Sequence, residues 1–545
     1  MSDAQRQHVR SRRAPALGHR ASAGFAWFLT QSAILKGVGF CGQLVLAWLL
    51  KKEDFGVYAL ALLVATSVGL VHQSGLSGVL VSRGDRLSRW ISPAFWLSLL
   101  TGALASAAML AVAPVAAILF HNQKLTGLIC VFALTPLFNA VSLIPQAVLQ
   151  VSMRFRAISI LGLLNGIGST SLTVLLAALD FHAYSFVIPA VVFGAVNAGA
   201  SWWLVRPRIE PKLQFRRWRL LLVDAGYVQG VAVMFLILGQ ADYFTLGCLK
   251  PAAIVGVYFF AFTLSMQPVT FLAGSLGSIL LPVLSRLRSE SMRQTQAFIR
   301  AARQLALVGA PLCLAQAILA RPLLSLVFRH SWDDAIPVFQ VLSIGAAFVF
   351  VGGPASALLQ ARGRFGTYFI FAAVCALFFL FAVQVGARLG GAVSTAVAVT
   401  IFYLVFGPLG VYVAIAPGGG RARDVLGIYL APVVAGFIAC GAPFFLVDHL
   451  LPIASKSGWP LLIATPLLGV PIYVAIVRVW RPSDWEELIV RLKELFARLA
   501  NAGKATENVA VGEKFLQSDQ TAAIIPAPIA GIVPMSSGGP PAMTL

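Results

Sequence analysis

Long apolar runs dominate this chain and fix its solvent. Fourteen mostly apolar stretches follow one another between charge clusters, at about 24–50, 54–81, 91–120, 125–150, 157–179, 183–205, 219–248, 252–282, 304–328, 335–360, 365–388, 390–416, 424–447 and 458–478. A helix needs about 20 such residues to cross a bilayer. Only 11% of the 545 residues are charged, against 59% hydrophobic, where a soluble chain carries about 25% charged residues. Lipid is therefore the expected solvent. Backbone polar groups in lipid must be satisfied within their own segment, so the fold class is an all-α polytopic membrane protein with 14 transmembrane helices. The third, fourth and eighth stretches contain internal Pro or Gly and are expected to kink.

The placement of charge orients these spans. With the N-terminus inside, 32 Lys and Arg fall on the inner side and 7 on the outer, while Lys36 and Arg321 lie within spans. This asymmetry follows the positive-inside rule and predicts that both termini are cytoplasmic. It also accounts for the formal charge of +21 without nucleic acid as a partner. The expected location is a membrane, crossed many times. Arg6, Arg10, Arg12, Arg13 and Arg20 precede the first apolar run, as in a signal peptide, but the run reaches Leu50. That exceeds the roughly 7–15 residues of a signal h-region, so an uncleaved first span is expected.

The organisation expected is a basic tail at 1–23, six spans over 24–206, a linker at 207–218 and six more spans over 219–416. Two extra spans occupy 417–480, followed by 481–500 and a Pro/Gly/Ser/Ala-rich tail at 501–545 expected to be disordered. Within "DWEELIVRLKELFARL" (484–499), Trp485, Leu488, Ile489, Leu492, Leu495, Phe496 and Leu499 share one helical face, the pattern of an amphipathic surface helix. No loop between spans exceeds about twenty residues, which leaves no room for a soluble catalytic domain. The six cysteines all lie in apolar runs and read as small hydrophobes. There is no H-E-x-x-H, no Cys cluster and no G-x-x-x-x-G-K-[ST], so neither a metal nor ATP hydrolysis is expected, and no cofactor is implied.

The chain repeats itself. Gly-Val-Tyr occurs at 56–58 after span one and at 256–258 after span seven, an offset of 200. Gln150-x-x-x-Arg154-Phe155 follows span four, and Gln360-x-x-x-Arg364-Phe365 follows span ten, an offset of 210. Equivalent positions at nearly one offset predict two pseudo-symmetric six-helix lobes with the same topology, related by an axis along the membrane normal. Chance similarity in low-complexity apolar sequence is the competing account. Two facing bundles enclose a midplane cavity and expose it by rocking, which suits a transporter better than an enzyme.

The motifs "LLKKEDFGVYALALLVATSVGLVHQSGLSGVLVSR" (49–83), "GQADYFTLGCLKPAAIVGVYFFAFTLS" (239–265) and "FRHSWDDAIPVFQVLS" (328–343) resemble oligosaccharide flippases of the polysaccharide transporter family. The resemblance runs over about 24–480 and rests on loop and half-span patterns. Its superfamily also holds multidrug-and-toxin exporters and peptidoglycan-precursor flippases. It implies two six-helix lobes plus two C-terminal helices. It also implies movement of polyprenyl-pyrophosphate-linked sugars to the periplasmic leaflet for exopolysaccharide or O-antigen assembly, through a cationic cavity that receives the pyrophosphate. The partners implied are the lipid-linked oligosaccharide, membrane lipids and polysaccharide polymerase or synthase proteins. A drug or cation antiporter on the same fold predicts acidic cavity residues. A scaffold or enzyme of polysaccharide assembly is the third reading.

Lys36 is the sharpest candidate for the work. It lies about twelve residues, or roughly 18 Å, from either end of its span, too deep to snorkel. A central lysine costs about 2.5–3.5 kcal/mol on insertion scales, so it needs a wet cavity or a partner. Ser32, Lys36, Gly39 and Gln43 form one small or polar stripe. The ammonium can meet a diphosphate as a point charge, or pair structurally with Asp242 or Asp224. The embedded G-x-G-x-x-G (Gly37, Gly39, Gly42) follows no strand and lies inside a helix, which removes the dinucleotide reading. Gln229 and Gln240 share a face of span seven, with Asp242 beside them as an ion or proton site or an interface residue. His72 and Gln73 interrupt span two, either lining the cavity or bonding between helices. Arg321 can snorkel. Arg154, Arg156, Arg362 and Arg364 either greet an anionic head group or only set topology.

Overall fold

The computed structural model describes residues 30–72, 89–207, 209–210, 215–450 and 459–487, with residues 76, 80, 87, 489, 490 and 493 in addition. No strand occurs among the described residues. The chain forms two units that divide after Trp480. In the second unit, residues 482–487 are helical; the rest of the expected amphipathic helix and the tail fall almost wholly outside the described residues.

In the first unit the helices are α1 (Thr30–Leu49), α2 (Lys52–His72), α3 (Ile91–Leu119), α4 (Lys124–Phe132), α5 (Thr135–Val151), α6 (Phe155–Ala178) and α7 (Tyr184–Val205). They continue with α8 (Phe215–Leu249), α9 (Ala252–Ser265), α10 (Gln267–Arg286), α11 (Ser291–Ile318), α12 (Ala320–Phe328) and α13 (Ala335–Val349). The last are α14 (Gly352–Ala361), α15 (Phe365–Leu389), α16 (Ala392–Ile415), α17 (Ala422–Leu450) and α18 (Trp459–Trp480).

Thirteen helical segments among the described residues are long and apolar enough to cross a membrane, where the sequence predicts fourteen. The difference lies in the eighth stretch, which divides at Met266 into α9, of 14 residues, and α10, of 20. The fourth, ninth and tenth stretches are also divided, between α4 and α5, α11 and α12, and α13 and α14. Each break lies two to four residues before a proline: Pro136, Pro268, Pro322 and Pro354. A proline ring lacks the N–H and crowds the carbonyl four residues back, so that carbonyl needs another donor. Thr135 supplies one, its Oγ1 donating to the Phe132 carbonyl at 2.7 Å. At the α9–α10 break the carbonyl that Pro268 leaves without its donor is that of Leu264, and the next one, of Ser265, accepts from Gln316 Nε2 at 2.8 Å. The third stretch stays whole despite Pro114.

Short turns join the spans, so arginine-rich turns gather at one end of the bundle and low-charge turns at the other. Buried residues divide accordingly. At the low-charge end a single core joins both halves of the repeat, from Leu46–Val64 and Met109–Ala133 to Ala241–Leu264 and Ala320–Leu342. Toward the arginine-rich end the cores are separate. One lies around Leu97 and Ile144 of the first half and takes in Leu221 from the start of α8, beside Trp218, whose Nε1 donates to the Pro93 carbonyl at 2.9 Å; the other lies in the second half around Phe298, Phe350 and Val411. Among the described residues the two halves thus share one continuous core, a weld, at the low-charge end and have two distinct cores toward the other, where the start of α8 packs against α3 of the first half.

Candidate functional site

The weld is built where α2 crosses α9. The duplicated glycines meet there: a Cβ on Gly56 would run into the Ala252 carbonyl, and one on Gly256 into the Lys52 carbonyl. Small residues permit backbones in membrane helices to approach this closely. Around the crossing, Trp332 Nε1 donates to the Ala47 carbonyl and Trp48 Nε1 to the Val327 carbonyl, both at 2.8 Å. Lys52 Nζ lies 2.6 Å from Asp334 Oδ2. Phe55 and Phe260 both pack on the Trp332 ring, with centroids 5.2 and 4.2 Å away.

Further along α1, Lys36 reaches across to the second half of the repeat. Its Nζ donates to the Thr270 carbonyl at 2.7 Å and the Phe271 carbonyl at 3.3 Å, and it sits 5.3 Å from the Phe271 ring centroid. Hydrogen bonds to a charged group contribute about 1.5–3 kcal/mol each, enough to offset the insertion cost of one lysine. Gln43 follows two turns on, its Oε1 3.2 Å from Gln267 Nε2. Both α10 contacts lie in the first turns after the proline break. The lysine stripe thus faces the start of a broken helix, and Gly37 and Gly39 have open space where a Cβ would stand.

Asp242 has a different environment. It is 2% exposed, its Oδ2 accepts from the Tyr258 hydroxyl and its Oδ1 from the Tyr243 N–H, both at 2.9 Å. Tyr258 is the tyrosine of the second Gly-Val-Tyr. The ion pair between Lys36 and Asp242 that the sequence allows is not the arrangement present, because both groups are committed elsewhere; the Asp224 side chain lies outside the described residues. Gln240 is half-buried on α8. His72 ends α2, but its side chain, Gln73 and the Gln229 side chain are outside the described residues. The structure thus brings Lys36 and Gln43 together on α10 and leaves Asp242 in the core of the weld.

Arg362, at the arginine-rich end, is a structural brace. Its Nε donates to Gln294 Oε1 at 2.8 Å, Nη1 to the Ala414 carbonyl at 2.7 Å and Nη2 to Thr295 Oγ1 at 2.5 Å. Burial and, secondarily, the Arg364 charge pull its pKa below the ordinary arginine value. Sequence reasoning missed Gln267, Thr270 and Tyr258 as partners, although Tyr258 was signalled by the repeat.

A duplicated helical bundle, joined at one end and carrying a polar stripe between its halves, defines a polytopic membrane transporter fold. The chain belongs to the family described as Polysaccharide biosynthesis protein, whose profile matches residues 45–337. It is similar to the lipopolysaccharide biosynthesis protein WzxC of Escherichia coli (strain K12), 21% identical over 76% of this chain and 85% of that one. It is also similar to the succinoglycan biosynthesis transport protein ExoT of Rhizobium meliloti (strain 1021), 21% identical over 88% and 97%. Among solved structures, lipid II flippase MurJ in an inward closed conformation superposes with a TM-score of 0.67 at 14% identity, covering 84% of this chain and 99% of that one. An inward-facing multidrug resistance MATE transporter of the MOP superfamily gives 0.53 at 15%, over 72% and 95%. These likenesses bear out the family and fold resemblance read from the motifs.

Proposed function

We propose that the protein is a flippase for polyprenyl-pyrophosphate-linked oligosaccharides, carrying them from the cytoplasmic to the periplasmic leaflet of the bacterial inner membrane by alternating access. The single observation that carries this reading is the polar stripe between the two halves, with Lys36 and Gln43 on α1 facing α10, toward the end where the described cores are distinct. The positive-inside rule makes that end cytoplasmic, where the lipid-linked unit would enter. The relatives support the cargo class: two are named for lipopolysaccharide biosynthesis and succinoglycan transport. A third, EpsE of Ralstonia solanacearum, 25% identical over 68% of this chain and 87% of that one, is named as an EPS I polysaccharide export inner membrane protein.

In this reading the Thr270 and Phe271 carbonyls hold the Lys36 ammonium until a pyrophosphate replaces them. Gln43 supplies a neutral amide beside the sugar-bearing end. Asp242 is assigned to ion or proton coupling, because it is buried next to the crossing that must part. Gln240, His72 and Gln73 remain candidate cavity residues. A polymerase or synthase would receive the flipped unit. Leaflet transfer of a lipid-linked sugar by purified protein in vesicles tests the whole reading, with Lys36→Ala as the site control. No transfer by the wild type would refute the function, and unchanged transfer by the variant would remove Lys36 from the site.

A further inference from the structure

The low-charge end carries an open-mouthed cavity that the site above does not use. It measures about 800 Å³ and is framed by the start of α2 and by the α3–α4, α6–α7 and α8–α9 turns, so both halves of the repeat build it. Its counterpart in the second half is filled. There the turn after α12 covers residues 329–334, and its buried Trp332 and its Asp334 bond to Ala47 and Lys52. The matching turn after α3 is shorter and covers 120–123. The two turns begin alike, with a buried phenylalanine followed by a left-handed residue: Phe120 and His121 (φ 51°), Phe328 and Arg329 (φ 47°). By the offset that relates Gly56 to Gly256, Gly247 stands where Ala47 does, and Gly247 lines the cavity. The first half therefore lacks the tryptophan that closes the second.

The walls select the occupant. Glu53, Asp54, Lys124 and Lys250 all line the cavity, and charges in such number exclude a lipid tail. Two carboxylates balance two ammoniums, so a net anion or cation meets repulsion along with attraction. Among the described residues no group of three His, Cys, Asp or Glu is placed to hold a metal ion. The polar groups are not consumed by one another. The Glu53, Lys124 and Lys250 side chains form no ion pair or hydrogen bond with another described residue. Asp54 Oδ2 accepts the Lys51 N–H at 3.1 Å, and Asn122 Oδ1 the Lys124 N–H at 3.1 Å, which leaves the Asn122 amide N–H groups for a ligand. Free donors and acceptors on a charge-balanced wall match a neutral ligand rich in hydroxyls, since a hydroxyl both donates and accepts. The volume lies within the roughly 300–1,000 Å³ of small-molecule sites. We propose that this cavity binds a neutral sugar residue of the cargo at the outer end. The inference rests on the flippase reading and gives the glycan a second site, away from Lys36, after crossing.

The test uses the full chain in phosphatidylglycerol nanodiscs. The probe is the free oligosaccharide released by mild acid from the lipid-linked pool of the producing cells, tagged at its reducing end. Saturable binding is expected in equilibrium dialysis. Asn122→Trp plugs the cavity as Trp332 plugs its counterpart, and should weaken binding at least about tenfold. Glu53→Ala/Lys250→Ala strips the walls instead and repeats the test should the plugged variant fail to fold. Exchanging half of the lipid for phosphatidylethanolamine should leave the affinity unchanged. Saturating free oligosaccharide outside vesicles should slow leaflet transfer by the wild type, which marks the cargo's own sugar as the occupant rather than glycan already released. Absent binding, full binding by a folded plugged or stripped variant, displacement by the zwitterionic head group, or unslowed transfer would overturn the proposal. Binding of the free sugar does not depend on turnover, so its failure is distinct from that of the flippase reading, which fails on absent leaflet transfer by the wild type.

Discussion

Gly56 and Gly256, 200 residues apart, stand back to back: the Cβ that either lacks would collide with backbone of the opposing helix. A Cβ built on Gly256 would lie 2.8 Å from the Gly56 nitrogen, and one built on Gly56 3.0 Å from the Gly256 nitrogen. The pseudo-twofold relation of the repeat therefore runs through this contact, and the crossing of α2 and α9 is where the two copies of the motif meet.

Enlarging either glycine is expected to prise the weld apart. Overpacking costs about 1–3 kcal/mol where side chains can yield, and here the obstacle is backbone. Gly256→Val should lower the melting temperature in detergent. It should also raise the reactivity of a cysteine placed at Ala47 toward a membrane-impermeant thiol reagent. Unaltered stability and labelling would mean the two backbones are not held this close.

Removing the ammonium should impair transport more than folding. The helical carbonyls of Thr270 and Phe271 have backbone partners besides Lys36, so Lys36→Ala leaves no acceptor stranded. Leaflet transfer is expected to drop at least about tenfold, the rate equivalent of about 1.4 kcal/mol, with little change in melting temperature. Lys36→Arg keeps the charge and should recover part of the activity.

Closing the weld covalently should stop turnover. Lys52 and Asp334 form an exposed pair whose own contribution is small, about 0–1 kcal/mol. Neutralising either should therefore be nearly silent. A Lys52→Cys/Asp334→Cys variant bridged by a short bis-methanethiosulfonate cross-linker, by contrast, is expected to lose transfer until a reductant is added. Transfer through the cross-linked protein would show that this end need not part.

Asp242 and Tyr258 should separate by role. Tyr258→Phe strands a buried carboxylate oxygen and is expected to destabilise by about 1–3 kcal/mol, read by thermal melting. Asp242→Asn can keep an oxygen for the Tyr243 N–H and donate its amide to the Tyr258 hydroxyl oxygen, so the fold should persist while any dependence of transfer on an ion gradient disappears. A variant that retains gradient dependence would make Asp242 purely structural.

The repeat, the spans and the isolated lysine were legible because each departs from apolar sequence in one dimension. Hydropathy marks the spans, charge marks their ends, and a lone cation in a long run stands out. The Lys36 partners were not legible. They depend on where α10 restarts after Met266, and proline alone does not announce a break: Pro114, Pro145, Pro311 and Pro408 all sit inside unbroken helices. Nor does an acid in span seven declare its partner. Charge alone matches Asp242 with Lys36, yet a tyrosine hydroxyl sixteen residues on satisfies it, a pairing set by the α8–α9 turn. Gly37 and Gly39 were unreadable for a related reason, since a glycine that leaves space and one that makes contact look alike in sequence.

The unequal division of the cores bears on heat. Parting the joined end exposes apolar side chains that the separated end does not bury to the same extent until it closes in turn. Exposure of apolar surface to water raises heat capacity. A cycle that passes through such a state should therefore show a transfer rate that curves on an Arrhenius plot.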